Sequence, residues 1–183
     1  IVIGVLGMTG LGVKVTSLIL SGSGGLLWPA LLLTALACLI LGMEVPTTAA
    51  YVICVSVAGP ALIELGLDPL QAHLFVFWYA LLSTITPPVC GAVFISAGMV
   101  DAPWLRVALF AMALGVGLYL VPLAMVSTPG LIALPTDPLA ALLATVKTGA
   151  GLAAVSWGLI ARRSPYARAG LVAGGLALIL WQS

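Results

Sequence analysis

Charge is what this sequence has least of. Its 183 residues hold six lysines and arginines, five acids and one histidine. Charged residues make up 6% of the chain. A soluble domain carries roughly 25%. A soluble globular fold is therefore excluded. The charges are also unevenly spread: Lys14 alone precedes Glu44, and none falls between Asp68 and Asp101 or between Arg106 and Asp137. Each gap exceeds the roughly 20 residues a membrane-spanning helix needs. A net charge of +1 offers nucleic acid no basic patch.

Reactive groups are just as scarce. Cys38, Cys54 and Cys90 lie inside apolar runs, without CxxC or metal spacing, and read as small buried hydrophobes. There is no GxSxG, no HExxH and no acidic pair, so an intramembrane enzyme would lack its machinery. No basic n-region or small-residue cleavage site leads the chain. It starts at Ile1 in the middle of an apolar run and reads as the C-terminal part of a longer protein. No repeat of 20 to 50 residues is visible. If the fold uses an inverted repeat, its partner lies upstream.

What is present is a succession of apolar runs, with a mean hydropathy of +1.30. The reading is all-α and polytopic. Ile1 to Leu20 reads as a membrane helix whose only charge, Lys14, snorkels or faces protein. Ser21 to Gly25 is a turn. Trp28 to Leu41 spans about 14 residues, or roughly 21 Å, short of a hydrocarbon core of about 30 Å. Ala49 to Leu65 is also short, and Gly59-Pro60 is expected to interrupt it. Between the two lies Gly42-Met43-Glu44-Val45-Pro46-Thr47-Thr48, polar and proline-bearing. Two short arms around such a tip predict a re-entrant hairpin over about 28–65; one long helix kinked at Pro46 is the alternative.

A second break lies in the run from Gln71 to Val100. Its first half is apolar and aromatic, and then come Ser83, Thr84, Thr86, Pro87 and Pro88. Pro88 disfavours a helical Pro87, so the pair predicts an extended kink in a broken helix over about 71–100. Trp78 and Tyr79 are expected to pack beside it, and His73 reads as a helix-end or packed histidine. Arg106 to Ser127 should span once more. Ser127 to Pro138 should be a loop. Leu139 to Ile160 should span, with Lys147 facing protein. A short apolar segment, Ala169 to Trp181, closes the chain. Two broken segments this close in sequence are the pattern of a transporter site near the bilayer midplane.

Arg162, Arg163 and Arg168 place their loop in the cytoplasm. Counting spans back opens the hairpin to the outside, with Lys14 the one dissenting charge. Trp28, Trp104, Trp157, Tyr166 and Trp181 fall near the expected interfaces, as an aromatic belt does.

Several strings together resemble a known family. They are Leu41-Gly42-Met43, Pro46 to Ile53, Ala72 to Phe77 and Ile85-Thr86-Pro87-Pro88-Val89. In this order and spacing they resemble the large membrane subunit of tripartite ATP-independent periplasmic (TRAP) transporters, most closely the branch with fused small and large subunits. Glu44 departs from that branch, which carries a small residue there. The resemblance implies an elevator-type secondary transporter in a bacterial inner membrane, driven by sodium and fed by a periplasmic substrate-binding protein. It implies small-subunit helices as partners, separate or fused upstream, and small carboxylates as substrates. Residues 1–103 then belong to the transport domain and 104–183 are C-terminal transmembrane helices.

The resulting candidates for substrate and ion binding are Gly42, Met43, Glu44, Pro46, Thr47, Thr48, Ser83, Thr84, Thr86, Pro87 and Pro88. Sodium, the coupling ion by this resemblance, is a hard cation that prefers carbonyl and hydroxyl oxygens. Thr47 and Thr86 are its candidate side-chain ligands; no other cofactor is expected. A half-helix starting near Thr47 favours an anion at its N-terminus. Glu44 is expected in a watery tip cavity, as a charge-tuning group or a proton site. The alternative for the hydroxyls is that they bond helix carbonyls and soften the kinks. Another sodium- or proton-coupled anion symporter with the same hairpin, or a structural membrane subunit without a site, are the competing readings of the whole.

Overall fold

The computed structural model describes residues 8–43, 45–160 and 165–181, and among these it is helical with no strand. Glu44, Arg162 and Arg163 lie outside the described residues. The helices are α1 (Leu11–Gly22), α2 (Leu27–Leu41), α3 (Thr47–Glu64), α4 (Pro69–Leu82), α5 (Gly91–Met99), α6 (Trp104–Leu114), α7 (Val116–Ser127), α8 (Pro138–Ile160) and α9 (Pro165–Leu180). Short 3-10 turns follow α4 at Ser83–Ile85 and α7 at Pro129–Ile132. The chain divides into two compact units, residues 1–111 and 112–183.

In the first unit α3 packs against α4, α1 and α2, and α2 also packs against α4. The faces that meet are rich in alanine: Ala30, Ala50, Ala58, Ala61 and Ala72 are fully buried. Small residues let helices approach closely, which is how membrane helices gain packing energy without a hydrophobic driving force between them. Larger side chains such as Leu32, Leu36, Ile40, Leu109 and Phe110 point outward and stay exposed, as a lipid-facing surface requires. Asp68 accepts from the Leu70 N–H at 2.8 Å, and Pro69 follows it, a strong start signal for α4.

Two expectations are corrected. Gly59-Pro60 does not interrupt its helix: α3 runs unbroken from Thr47 to Glu64 with Pro60 inside it. Proline removes one ladder bond, here to the Ser56 carbonyl, but packing on three neighbours holds the rest. In the loosened turn the Val57 carbonyl accepts a hydrogen bond from the Thr16 hydroxyl of α1 at 2.6 Å. At 18 residues α3 is long and apolar enough to cross a membrane, so this arm is not short. The second correction concerns Arg106 to Ser127, which is two helices and not one continuous helix. Gly115 separates α6 from α7, in keeping with glycine's low helix propensity. Further, α5 and α6 meet at 116°.

In the second unit α8 and α9 form an antiparallel pair in very close contact. The C-terminal end of each helix in this pair is capped by a cation from its neighbour. Arg168 donates to the Gly158 and Leu159 carbonyls at 3.1 and 3.0 Å, at the C-terminal end of α8. Lys147 faces protein, as expected, and donates to the Trp181 carbonyl at 2.6 Å, just past α9. Cations at helix C-termini complement the dipole and the orphan carbonyls. Arg168→Gln should lower the melting temperature of the purified protein by roughly 2–4 °C, for a cap worth about 1 kcal/mol. An unchanged melting curve would leave Arg168 as a surface charge on α9 only.

Candidate functional site

Both breaks form where the residues predict them. The helix α2 ends at Leu41, and the Gly42 N–H still reaches the Cys38 carbonyl at 2.9 Å. The chain then turns through Met43 and Val45, whose N–H meets the Gly42 carbonyl at 3.4 Å. Pro46, extended at φ −52° and ψ 139°, occupies the N-cap of α3 and offers no side-chain cap. The Thr47, Thr48 and Ala49 N–H groups at the first turn therefore have no intrahelical partner. Thr47 and Thr48 are exposed.

The second break follows Leu82. One 3-10 turn leads to Thr86, which is extended at φ −99° and ψ 124°. The Pro87-Pro88 bond is cis. Neither proline has an N–H, so the Ser83 and Thr84 carbonyls lose their helical donors. The Ser83 carbonyl takes the Thr86 N–H instead, at 3.3 Å. Gly91 then restarts the chain as α5, with Cys90 at its N-cap and no side-chain cap there.

Tertiary packing seats one break on the other. A Cβ added at Gly42 would lie 2.6 Å from Ser83 Oγ and 3.0 Å from the carbonyls of Ala80 and Cys38. No side chain fits there. The Cα of Gly42 rests directly on oxygens of α4 and its 3-10 turn. Thus Gly42, Ser83 and the Ala80 carbonyl are brought together, while Thr47 and Thr48 stand at the exposed end of α3.

The kink hydroxyls are all engaged as donors. Ser83 Oγ donates to the Ala80 carbonyl at 2.7 Å, Thr84 Oγ1 to Leu81 at 2.9 Å, and Thr86 Oγ1 to Leu82 at 2.7 Å. These are the back-bonds that soften a helix end. A hydroxyl that donates its proton still presents its lone pairs, so the same oxygens can accept a cation. Among the described residues no group of three or more His, Cys, Asp or Glu converges. The described oxygens at the breaks are carbonyls and hydroxyls, ligands that suit a hard cation.

One pair escaped sequence reasoning. The Tyr51 hydroxyl, one turn into α3, lies 2.7 Å from His73 Nδ1 on α4, and its ring meets Phe77 edge-on at 5.5 Å. His73 is thus bonded across two helices, which its position early in α4 did not reveal. The signal available was that Tyr51 and His73 are polar groups on otherwise apolar runs. Tyr79 packs on Phe75 at 4.8 Å and is buried beside the kink, as expected.

The family model for the tripartite ATP-independent periplasmic transporter, DctM component, matches residues 1–139. No curated protein and no solved structure matches the chain.

Proposed function

The chain belongs to the DctM component family of the tripartite ATP-independent periplasmic transporters, and on that premise we propose that it carries one half of a sodium-coupled site for small organic acids. The family is one of membrane transporters, not enzymes, and its members work with a periplasmic binding protein and a small membrane subunit. In the proposed reading the binding protein delivers the substrate from the periplasmic face of a bacterial inner membrane. The first unit then moves as the carrier of an elevator, with α2 and α3 as a re-entrant hairpin and α4 and α5 as a broken helix.

The observation that carries this reading is the contact of Gly42 with Ser83 and Ala80. It joins the hairpin tip to the kink, so an ion bound by oxygens of one break is sensed by the other. A ligand biases a two-state movement only through its different affinity for the two states. Closing the tip on the kink supplies that difference. The uncapped first turn of α3 favours a carboxylate beside it.

The test is uptake into vesicles by the full-length permease with its binding protein, using candidate carboxylates across a series of sodium concentrations. Thr86→Val keeps the shape and removes one oxygen. It should raise the sodium concentration for half-maximal uptake several-fold, the effect of losing one ligand worth about 1 kcal/mol. Pro87→Ala should depress uptake at every sodium concentration by allowing α4 to continue. A purely structural role for the hydroxyls also has an observation behind it, their bonds to Ala80, Leu81 and Leu82. Unchanged sodium dependence in Thr86→Val, with reduced thermal stability, would favour that second reading.

A further inference from the structure

The hairpin tip is tied to α4 at two places. One is the seat of Gly42 against the Ala80 carbonyl and Ser83 Oγ. The other is the hydrogen bond between the Tyr51 hydroxyl and His73 Nδ1, at 2.7 Å. Gly42 ends α2 and Tyr51 lies one turn into α3, so the polar segment between them is held at both ends. Both ties also fall on one stripe of α4. His73, Phe77 and Ala80 stand at i, i+4 and i+7, and Phe77 meets the Tyr51 ring edge-on at 5.5 Å.

The two ties differ in kind. Gly42 rests by its backbone, and no side-chain rotation undoes that. The Tyr51–His73 bond lies at the outer edge of the seam between α3 and α4: His73 and Phe77 are exposed, while Phe75, Val76 and Tyr79 are buried. Rotation of either polar ring opens it. The first turn of α3 needs such a hold. Pro46 gives no side-chain cap, and the Ala50 N–H makes the first helical bond, to the Pro46 carbonyl at 2.8 Å. An uncapped turn frays unless tertiary contact fixes it. Buried Ala50 contributes only a methyl group there; Tyr51 contributes a ring and a bond.

We propose that Tyr51 and His73 are positioning residues, a releasable latch that keeps the hairpin tip seated on the kink; this role rests on the transport reading above. Neither side chain has to touch ion or substrate. A binding-competent state that is only partly populated weakens apparent affinity by its fraction. The latch therefore acts on affinity and not on maximal rate, because saturating ligand seats the tip without it.

The test uses the full-length permease and two readouts. The first is hydrogen exchange of the purified protein over residues 47–53, without sodium or substrate. Tyr51→Phe keeps the ring on Phe77 and removes only the hydroxyl; His73→Leu removes the other partner. Each should speed exchange in that segment roughly three- to ten-fold and leave residues 75–82 unchanged. His73→Asn puts an amide where Nδ1 stands and should restore slow exchange, although asparagine is a poorer helix former than leucine. A role in helix stability alone would rank these two variants the other way. The second readout is sodium-driven uptake with the binding protein present. Tyr51→Phe and His73→Leu should raise the sodium concentration for half-maximal uptake about three-fold and keep the saturating rate within about two-fold of wild type. His73→Asn should match the wild type in both. If His73→Leu fails to fold, Tyr51→Phe carries the test. Wild-type exchange in Tyr51→Phe overturns the latch. Fast exchange with unchanged half-saturation, or a rate lost even at saturating sodium, overturns its positioning role. Uptake by the wild type that ignores sodium would sink the transport reading by itself; exchange would still decide the latch.

Discussion

Gly42→Ala should abolish most transport while leaving the protein in the membrane. The added methyl would stand 2.6 Å from Ser83 Oγ and 3.0 Å from the Ala80 carbonyl, and a carbonyl of a packed helix cannot swing away. Overpacking of this kind costs about 1–3 kcal/mol, relieved here by lifting the tip off the kink. Because each 1.4 kcal/mol is a factor of ten, uptake should fall roughly ten-fold or more. Removing the Ser83 hydroxyl takes away the shortest contact but not the carbonyl, so Gly42→Ala with Ser83→Ala should recover only part of the loss. Gly98→Ala in α5 is the matched control, since nothing lies within 4 Å of a Cβ there. The measurement is initial uptake normalised to membrane-inserted protein. Wild-type uptake by Gly42→Ala would show that the tip and kink do not work as one site.

Gly175→Leu should leave the second unit without a stable fold. Its Cβ would meet the Gly151 carbonyl at 2.6 Å, Val155 Cγ2 at 2.7 Å and the Val155 nitrogen at 3.0 Å. The approach is reciprocal, because a Cβ on Gly151 would meet Ile179 Cγ1 at 2.6 Å and the Gly175 carbonyl at 3.0 Å. Backbone lies against backbone, so α8 and α9 must separate to admit any side chain. Dispersion contacts fall away steeply with such a gap, and in a membrane they are much of what holds two helices together. A loss of roughly 3 kcal/mol or more is expected, or about 6–12 °C in melting temperature. Size-exclusion of the solubilised protein should then show aggregate in place of a single peak. Gly170→Ala and Gly174→Ala, on the same helix with open space at both Cβ positions, should be neutral or slightly stabilising. A Gly175→Leu variant as stable as these would refute the close packing.

Gly42, Gly151 and Gly175 also mark the boundary of what a sequence can say. Nothing in the string around Gly175 separates it from its neighbour Gly174, yet one is packed on backbone and the other faces open space. Helix phase and crossing point decide that, and both are properties of the assembled pair. Likewise, Tyr51 and His73 are 22 residues apart and their bond depends on how α3 lies across α4. Pro60 departs from its expected role for a related reason. Proline reports local cost, but packing on three helices carried α3 through Pro60.

By itself the sequence determined that the chain is helical and apolar, and that it breaks at Gly42–Pro46 and at Ser83–Pro88. Those features follow from composition and from missing N–H groups, which no tertiary fold can restore. Only the tertiary structure decided that Gly42 sits on Ser83, that Arg168 and Lys147 cap each other's helices, and that Tyr51 meets His73. Those are distances between residues far apart in the chain, and they arise because close-packed helices admit only the registers in which small residues meet backbone.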